Sequence, residues 1–524
     1  MSFVVTSLIG LEHGEGDAVG SLGFADELLA LVACPLWGLL SDKIGVRYVS
    51  TAGYAIIALA LIVFVQATNV YPQLLLGRLL FSLGGSAAAT MVTAILPAIT
   101  GGNGLLQGRG QSLPTPAWRD SLSSEAMVTP ARSERRQPAE SGIGSPSPSR
   151  LAGFVGLCTG SGALIALAIF LPLPARFENV GFSAAQAIRN AFYCVAAVAL
   201  VIALWCFFGL KGLSGEGAKG LRSLWTSPTR SSGNKVRSFI VTCGAHFIRA
   251  LRLCFKNPDI SLGYIGGFVA RASSVGISLF VPLFINRYYR DSDLCKQTGT
   301  NSLQSQGLSD IKKSCPEAYI AASILTGVSQ LVALITAPAF GYLSDKSRRL
   351  NVPLLFAALV GIVAYVSFPQ LPSHGLGGSG GSSVIVLVTM GLIGISQIGA
   401  IVCSLGVLSN AVLNIKALPR PVSGDVTDRS RPNISDEHEP LLNKPAGADD
   451  EQDLLHVKGS IAGIYSLYGG AGILILTKLG GLLFDKVSSG APFYIMAGFN
   501  GVLLVAGVGC GLWRYHYLRK ATQS

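Results

Sequence analysis

Apolar stretches of about 20 residues, the length that crosses a bilayer as a helix, recur along the whole chain with polar connections between them. They fall at 20–40, 48–66, 73–99, 152–173, 187–210, 260–286, 318–343, 351–371, 382–413, 459–484 and 491–513. None alternates with the period of a half-buried strand, so the predicted fold class is an all-α polytopic membrane protein with eleven full spans. Residues 1–11 are apolar but too short to cross, and 12–17 are polar.

The connections set the orientation. Residues 211–259 hold nine Lys and Arg, from Lys211 to Lys256, against the acids Glu216 and Asp259. The loop after 318–343 carries Lys346, Arg348 and Arg349, and the tail 514–524 carries Arg514, Arg519 and Lys520. All three lie on one side, which the positive-inside rule places in the cytosol. Eleven spans then leave residue 1 outside. The expectation is that 1–11 ends a truncated first helix; a true eleven-span chain is the alternative.

Three long connections interrupt the pattern. Residues 101–150 are rich in Ser, Pro and Arg and are expected to form a disordered cytosolic insertion. Within 211–259, a linker between two halves, Phe239, Ile240, Phe247, Ile248, Leu251 and Phe255 share one face beside Arg237, Arg249, Arg252 and Lys256, as in a helix lying in the headgroup layer. Residues 414–457 form an acidic, Pro-broken cytosolic loop. The helical bundles thus comprise 1–100 with 151–210, and 260–413 with 458–513.

Composition sharpens this picture. Only 13% of the 524 residues are charged, about half the share in a soluble domain, which argues against a soluble enzyme. The net charge of +12 comes from Arg and Lys spread over membrane loops without interleaved aromatics, giving no support for a nucleic-acid partner. Six scattered His and ten Cys without a CxxC pair suggest neither a metal site nor a cofactor. No nucleophile–base constellation or phosphate loop points to an enzyme.

An internal repeat is more informative. ELLALVACPLWGLLSDK (27–43) and QLVALITAPAFGYLSDK (330–346) share nine of seventeen positions at a constant offset of 303. The first copy, Gly38-Leu-Leu-Ser-Asp42-Lys43-Ile-Gly45-Val-Arg47, resembles the loop signature of the major facilitator superfamily, and Gly341-Tyr-Leu-Ser-Asp345-Lys346-Ser-Arg348-Arg349 resembles its second-half copy, without the second Gly. The resemblance, nearest to drug:proton antiporter-like fungal members, implies two pseudo-symmetric six-helix bundles around a central cavity, open alternately to either side. It also implies that the loop aspartates and bases hold the bundles together in the outward-open state. Gly38, Asp42, Lys43, Arg47, Gly341, Asp345, Lys346, Arg348 and Arg349 are therefore the expected conformational gate. Each Asp ends a helix, where it can meet a facing helix N-terminus or an Arg.

Ionisable residues inside spans are costly and usually functional. Arg78, in GRLLFSLGG, resembles the family's fourth-helix Arg, which takes part in proton coupling or substrate charge, although Phe81 and Ser82 replace the Gln and Gly of that pattern. Arg271, near the middle of 260–286, is the first candidate for contacting an anionic group, with a structural ion pair as the alternative. Asp26 and Glu27 are candidates for a coupled proton, or solvated residues of the outer mouth; Glu27 aligns with Gln330 in the repeat. Lys478 can pair with either acid or snorkel outward. Gln397 and Asn410 suit cavity hydrogen bonding or helix packing. In the fifth helix of the family pattern, Gly156 and Gly160 match the antiporter spacing but Ser161 stands where Pro is expected, which leaves symport and uniport open.

Cys295 and Cys315 share a non-cytosolic loop and form the disulfide candidate. Glu437-His-Glu-Pro-Leu441-Leu442 resembles an acidic dileucine sorting signal for an adaptor, favouring a vacuolar or lysosome-like membrane over the plasma membrane. The reading is a secondary transporter moving a small-molecule substrate through the lipid bilayer by alternating access, with protons as the candidate coupling ion. A non-transporting receptor or scaffold of the same fold is the alternative.

Overall fold

The computed structural model describes residues 15–100, 147–170, 172–213, 257–291, 316–347, 351–371, 380–415 and 458–523, with isolated positions between 220 and 255. The described residues are helical apart from short turns, with no strand among them. Among the described residues, eleven helical stretches are long and apolar enough to cross a membrane, one for each span predicted from hydropathy. The protein is an all-α, multi-pass integral membrane protein.

In chain order the helices are α1 (Glu15–Ile44), α2 (Val46–Phe64), α3 (Leu75–Thr100), α4 (Pro148–Ile165), the short α5 (Leu173–Asn179), α6 (Ala184–Gly209), α7 (Pro258–Val275), α8 (Val281–Asp291), α9 (Pro316–Lys346), α10 (Val352–Ser367), α11 (Gly380–Ile415), α12 (Lys458–Lys486) and α13 (Ala491–Gln523). A five-residue wide turn, Gly276–Phe280, joins α7 and α8 into one span. Most helices overrun the apolar windows by a turn or less, because a helix continues into the headgroup region as long as its backbone bonds stay internal.

In the first half, α3 packs on α1 and α2, and α2 packs on α6. In the second, α11 packs on α7, α9 and α10, α13 on α10, and α12 on α7. The halves meet along two seams, α1 with α12 and α4 with α9 and α11.

Gly45, directly after α1, sits at φ 97°, a conformation that costs a residue with a Cβ but not glycine. Asn351, directly before α10, sits at φ 46°, and Asn tolerates the left-handed region better than most residues.

α4 begins at Pro148, capped by Ser147, whose hydroxyl accepts from the Arg150 N–H. The expected insertion, 101–150, therefore overlaps the first turn of a helix; its residues before 147 lie outside the described residues, as do Arg348, Arg349, Cys295, Cys315, Glu437, Leu441, Leu442 and the loop 416–457. The described positions of the linker are helical at 247, 248, 250–252, 254 and 255. They depart from a single lipid-facing stripe: Ala250 and Cys254 are buried, Phe247 and Leu251 pack against the second-half core, and Ile248 and Phe255 face outward.

Candidate functional site: paired seams and a polar centre

Each signature helix docks on the first turn of a helix from the opposite half. At one seam Gly38 lies against Gly459 and Gly463 of α12; a Cβ there would overlap the Gly459 carbonyl and stand 2.9 Å from the Gly463 Cα. One turn on, Asp42 is buried and accepts the Gly459 N–H (2.6 Å), the Ser460 N–H (2.7 Å) and the Ser460 hydroxyl (2.6 Å). The first N–H groups of a helix have no partner within it and carry the positive end of its dipole. Asp42 thus caps α12 across the seam.

The second seam repeats the plan. A Cβ on Gly341 would stand 2.8 Å from the Gly153 Cα and 3.0 Å from the Ser149 carbonyl of α4. Asp345, one turn on, meets the Arg150 guanidinium at 3.0 Å. The Asn410 amide of α11 donates to the Ser149 hydroxyl at 3.1 Å, adding a third tie between the halves. Gly156 and Gly160 of α4 lie against Ala337, Ile398 and Val402, and against Leu334, so close packing accounts for that glycine spacing.

The polar ties at the two seams differ in burial. Arg150 is 52% exposed, and exposed ion pairs contribute about 0–1 kcal/mol. The buried Asp42 carboxylate holds three charge-assisted bonds, each of a kind worth about 1.5–3 kcal/mol. Asp42→Ala should therefore reduce transport about tenfold or more and Asp345→Ala only a few-fold, as initial rates in proteoliposomes will show. Equal effects would mean that burial does not set the strength of the seams.

One gate residue acts elsewhere. Arg47 donates to the Phe207 carbonyl at 2.6 Å and lies over the Phe207 ring, 4.2 Å from its centroid. It ties the loop to the end of α6 within the first half, contrary to the expected bridge between bundles. Lys346 is exposed and Lys43 half-buried. A bridging base at the second seam is Arg150, which the sequence reading passed over because it adjoins a Ser/Pro-rich segment.

Toward the far side of the membrane, Asp26 and Arg78 form an ion pair. Asp26 is 7% exposed, which rules out the solvated outer mouth expected as an alternative. Its backbone carbonyl accepts from the Ser82 hydroxyl at 2.8 Å, and its second carboxylate oxygen is buried without a described partner. Arg78 borders a cavity of about 150 Å³ lined by Ala60, Leu61, Phe64, Phe81 and Phe192. The repeat places Ser329 at the position of Asp26. Just as Ser82 reaches the Asp26 carbonyl, Gly394 abuts the Ser329 carbonyl. Four residues before Gly394 stands Met390, fully buried, where the first half has Arg78. The second half keeps the helix crossing without the charges.

Near mid-membrane, the aliphatic part of Arg271 lies on Gly469 of α12, 2.6 Å from where a Cβ would be. Its charge and that of Glu27 are within Coulombic reach, and neither makes a direct ion pair or hydrogen bond with a described residue. Gln397, 5% exposed, donates to the Ser274 hydroxyl at 3.0 Å and accepts from the Gln330 amide at 3.5 Å. Lys478 does not join the acids; its ammonium sits 4.0 Å from the Phe24 ring centroid, an α1–α12 contact. Among the described residues no cluster of His, Cys, Asp and Glu is suited to a metal ion.

Comparison with known proteins agrees with this architecture. Residues 1–108 match the family model described as Major Facilitator Superfamily. No curated protein matches the chain. In fold it is similar to the major facilitator proton:xylose symporter XylE bound to 6-bromo-6-deoxy-D-glucose, at 12% identity and a TM-score of 0.50, covering 96% of this chain and 89% of that one. It is similar also to the major facilitator transporter FucP in the outward conformation, at 11% identity and a TM-score of 0.50, covering 97% and 92%. The chain is a polytopic helical membrane protein of the major facilitator fold.

Proposed function

We propose that the protein is a secondary transporter that moves a small polar solute by alternating access and couples the movement to protons through Asp26. The supporting observation is the pair of equivalent seams. Each is built of glycine contacts and a few polar bonds between halves, which a cycling gate can break and remake. Behind the seams lie two charges, Glu27 and Arg271, with no direct ion pair or hydrogen bond among the described residues, which at mid-membrane points to a ligand. With the seams closed on the signature-loop side, which we place in the cytosol, the state is the outward-facing one.

Asp26 suits proton carriage because one oxygen is held by Arg78 while the other has no donor among the described residues, so it can accept a proton without losing a bond. The presence of Ser329 and Met390 at the equivalent positions argues for a role beyond packing. We assign the protein to a vacuolar or lysosome-like membrane, reached through an adaptor that reads Glu437, Leu441 and Leu442.

Flux into proteoliposomes with and without an imposed pH gradient tests the coupling. The wild type should run faster down the gradient. Asp26→Asn should run at one rate in both conditions while retaining solute exchange at equal pH. A wild-type rate indifferent to the gradient would remove proton coupling from the account.

A further inference from the structure

Resting on the transport reading, we infer that the central site takes a zwitterionic solute, one carrying both an ammonium and a carboxylate as an amino acid does, with the ammonium toward Glu27 and the carboxylate toward Arg271. Two neighbouring residues of α12 place the site. Arg271 of the second half lies on Gly469, and Leu31 of the first half lies on Gly470. Glu27 is one turn from Leu31, on the side away from the signature loops. Counted from the loop ends of their helices, Arg271 is about 20 Å deep and Glu27 about 25 Å, at 1.5 Å per residue. Opposite charges thus stand on different halves near the bilayer centre, within Coulombic reach and offset by about one turn.

Both side chains are half-buried. Opposite charges this near in a membrane interior gain strongly from direct pairing, and one residue away Asp26 shows that this chain makes such a pair where it serves. Leaving Glu27 and Arg271 apart suits a site whose counter-charges arrive with the ligand. A neutral sugar would leave both charges uncompensated, a monocarboxylate would satisfy Arg271 and repel Glu27, and an amine would do the reverse. A zwitterion of low net charge meets both.

The neutral part of the ligand also has a surface to meet. Ser274 is one turn from Arg271 on the same face of α7, and binds Gln397, which in turn binds Gln330. Gln330 is the repeat counterpart of Glu27. The duplicated position is therefore acidic in one half and a neutral amide in the other, so the site is polarised, with hydrogen-bonding capacity on the second-half wall.

The test is uptake by the full-length protein in proteoliposomes, with labelled mixed amino acids, D-glucose, lactate and ethylammonium as separate probes. The inference expects uptake of the amino-acid label, inhibited by unlabelled amino acids and not by the other three. Glu27→Gln and Arg271→Gln should each raise the KM for amino acids about thirtyfold or more, the loss for removing one partner of a buried charge pair. Glu27→Gln should also make lactate an inhibitor, and Arg271→Gln should do so for ethylammonium. The competition pattern of the wild type stands even if a variant does not fold. Uptake of glucose, lactate or ethylammonium with no inhibition by amino acids would overturn the zwitterion inference and leave transport intact. Uptake of none of the four probes would overturn the zwitterion inference as well.

Discussion

Replacing Gly38 with valine will cut transport about a hundredfold and open the seam between α1 and α12. The Gly38 Cα lies so close to α12 that even a Cβ overlaps the Gly459 carbonyl and crowds Gly463. Those neighbours are helix backbone, which cannot rotate away as a side chain can. Overpacking that must move backbone costs about 3 kcal/mol or more, enough to shift the balance between closed and open seams by about a hundredfold. The variant should still fold, because the clash lies between the halves and α1 keeps its packing on α3 within its own half. Its rate should fall about a hundredfold. Cys34, buried beside the same seam with its carbonyl against Gly463, should react faster with a water-soluble maleimide, localised by peptide mass mapping. Gly23→Ala, at a glycine whose Cβ would meet nothing within 4 Å, should keep wild-type flux. A Gly38→Val protein with wild-type flux would mean that the seam never closes during transport.

The second large effect concerns the Asp26–Arg78 pair. Arg78→Met alone leaves a buried carboxylate without its cation, a change worth about 3–5 kcal/mol. Its thermal unfolding in detergent should fall clearly below that of the wild type. Adding Asp26→Ser recreates the combination the second half already holds in Ser329 and Met390, both fully buried. The double variant should regain most of the lost stability, yet its flux should no longer respond to a pH gradient. Stability recovered together with gradient dependence would place the coupled proton elsewhere. A double variant no more stable than Arg78→Met would mean that the two halves are not interchangeable at this crossing.

Much of this was legible in the sequence, and the limits have physical causes. Span positions follow from hydropathy because the bilayer imposes one length on every crossing helix. Gly38, Asp42, Gly341 and Asp345 could be singled out because duplication repeats them in the same register. Their partners could not. Gly459, Ser460, Ser149 and Arg150 act through position at a helix start, not through any distinctive residue type, and lie hundreds of residues away. Arg78 and Asp26 could be named as costly intramembrane charges, but that they pair with each other depends on how α1 crosses α3. Arg47 shows the opposite failure: the motif residue is present, and its partner is a carbonyl of its own half.

The central claim is that the halves must part at these seams in every cycle. Its most direct test is a reversible lock. Ser149→Cys with Asn410→Cys puts two thiols where the side chains now touch across the halves. Oxidative cross-linking of the pair should abolish flux, and reduction should restore it, while each single variant treated in the same way keeps its rate. Full flux through the cross-linked protein would show that the seam stays shut during transport, and would contradict the account.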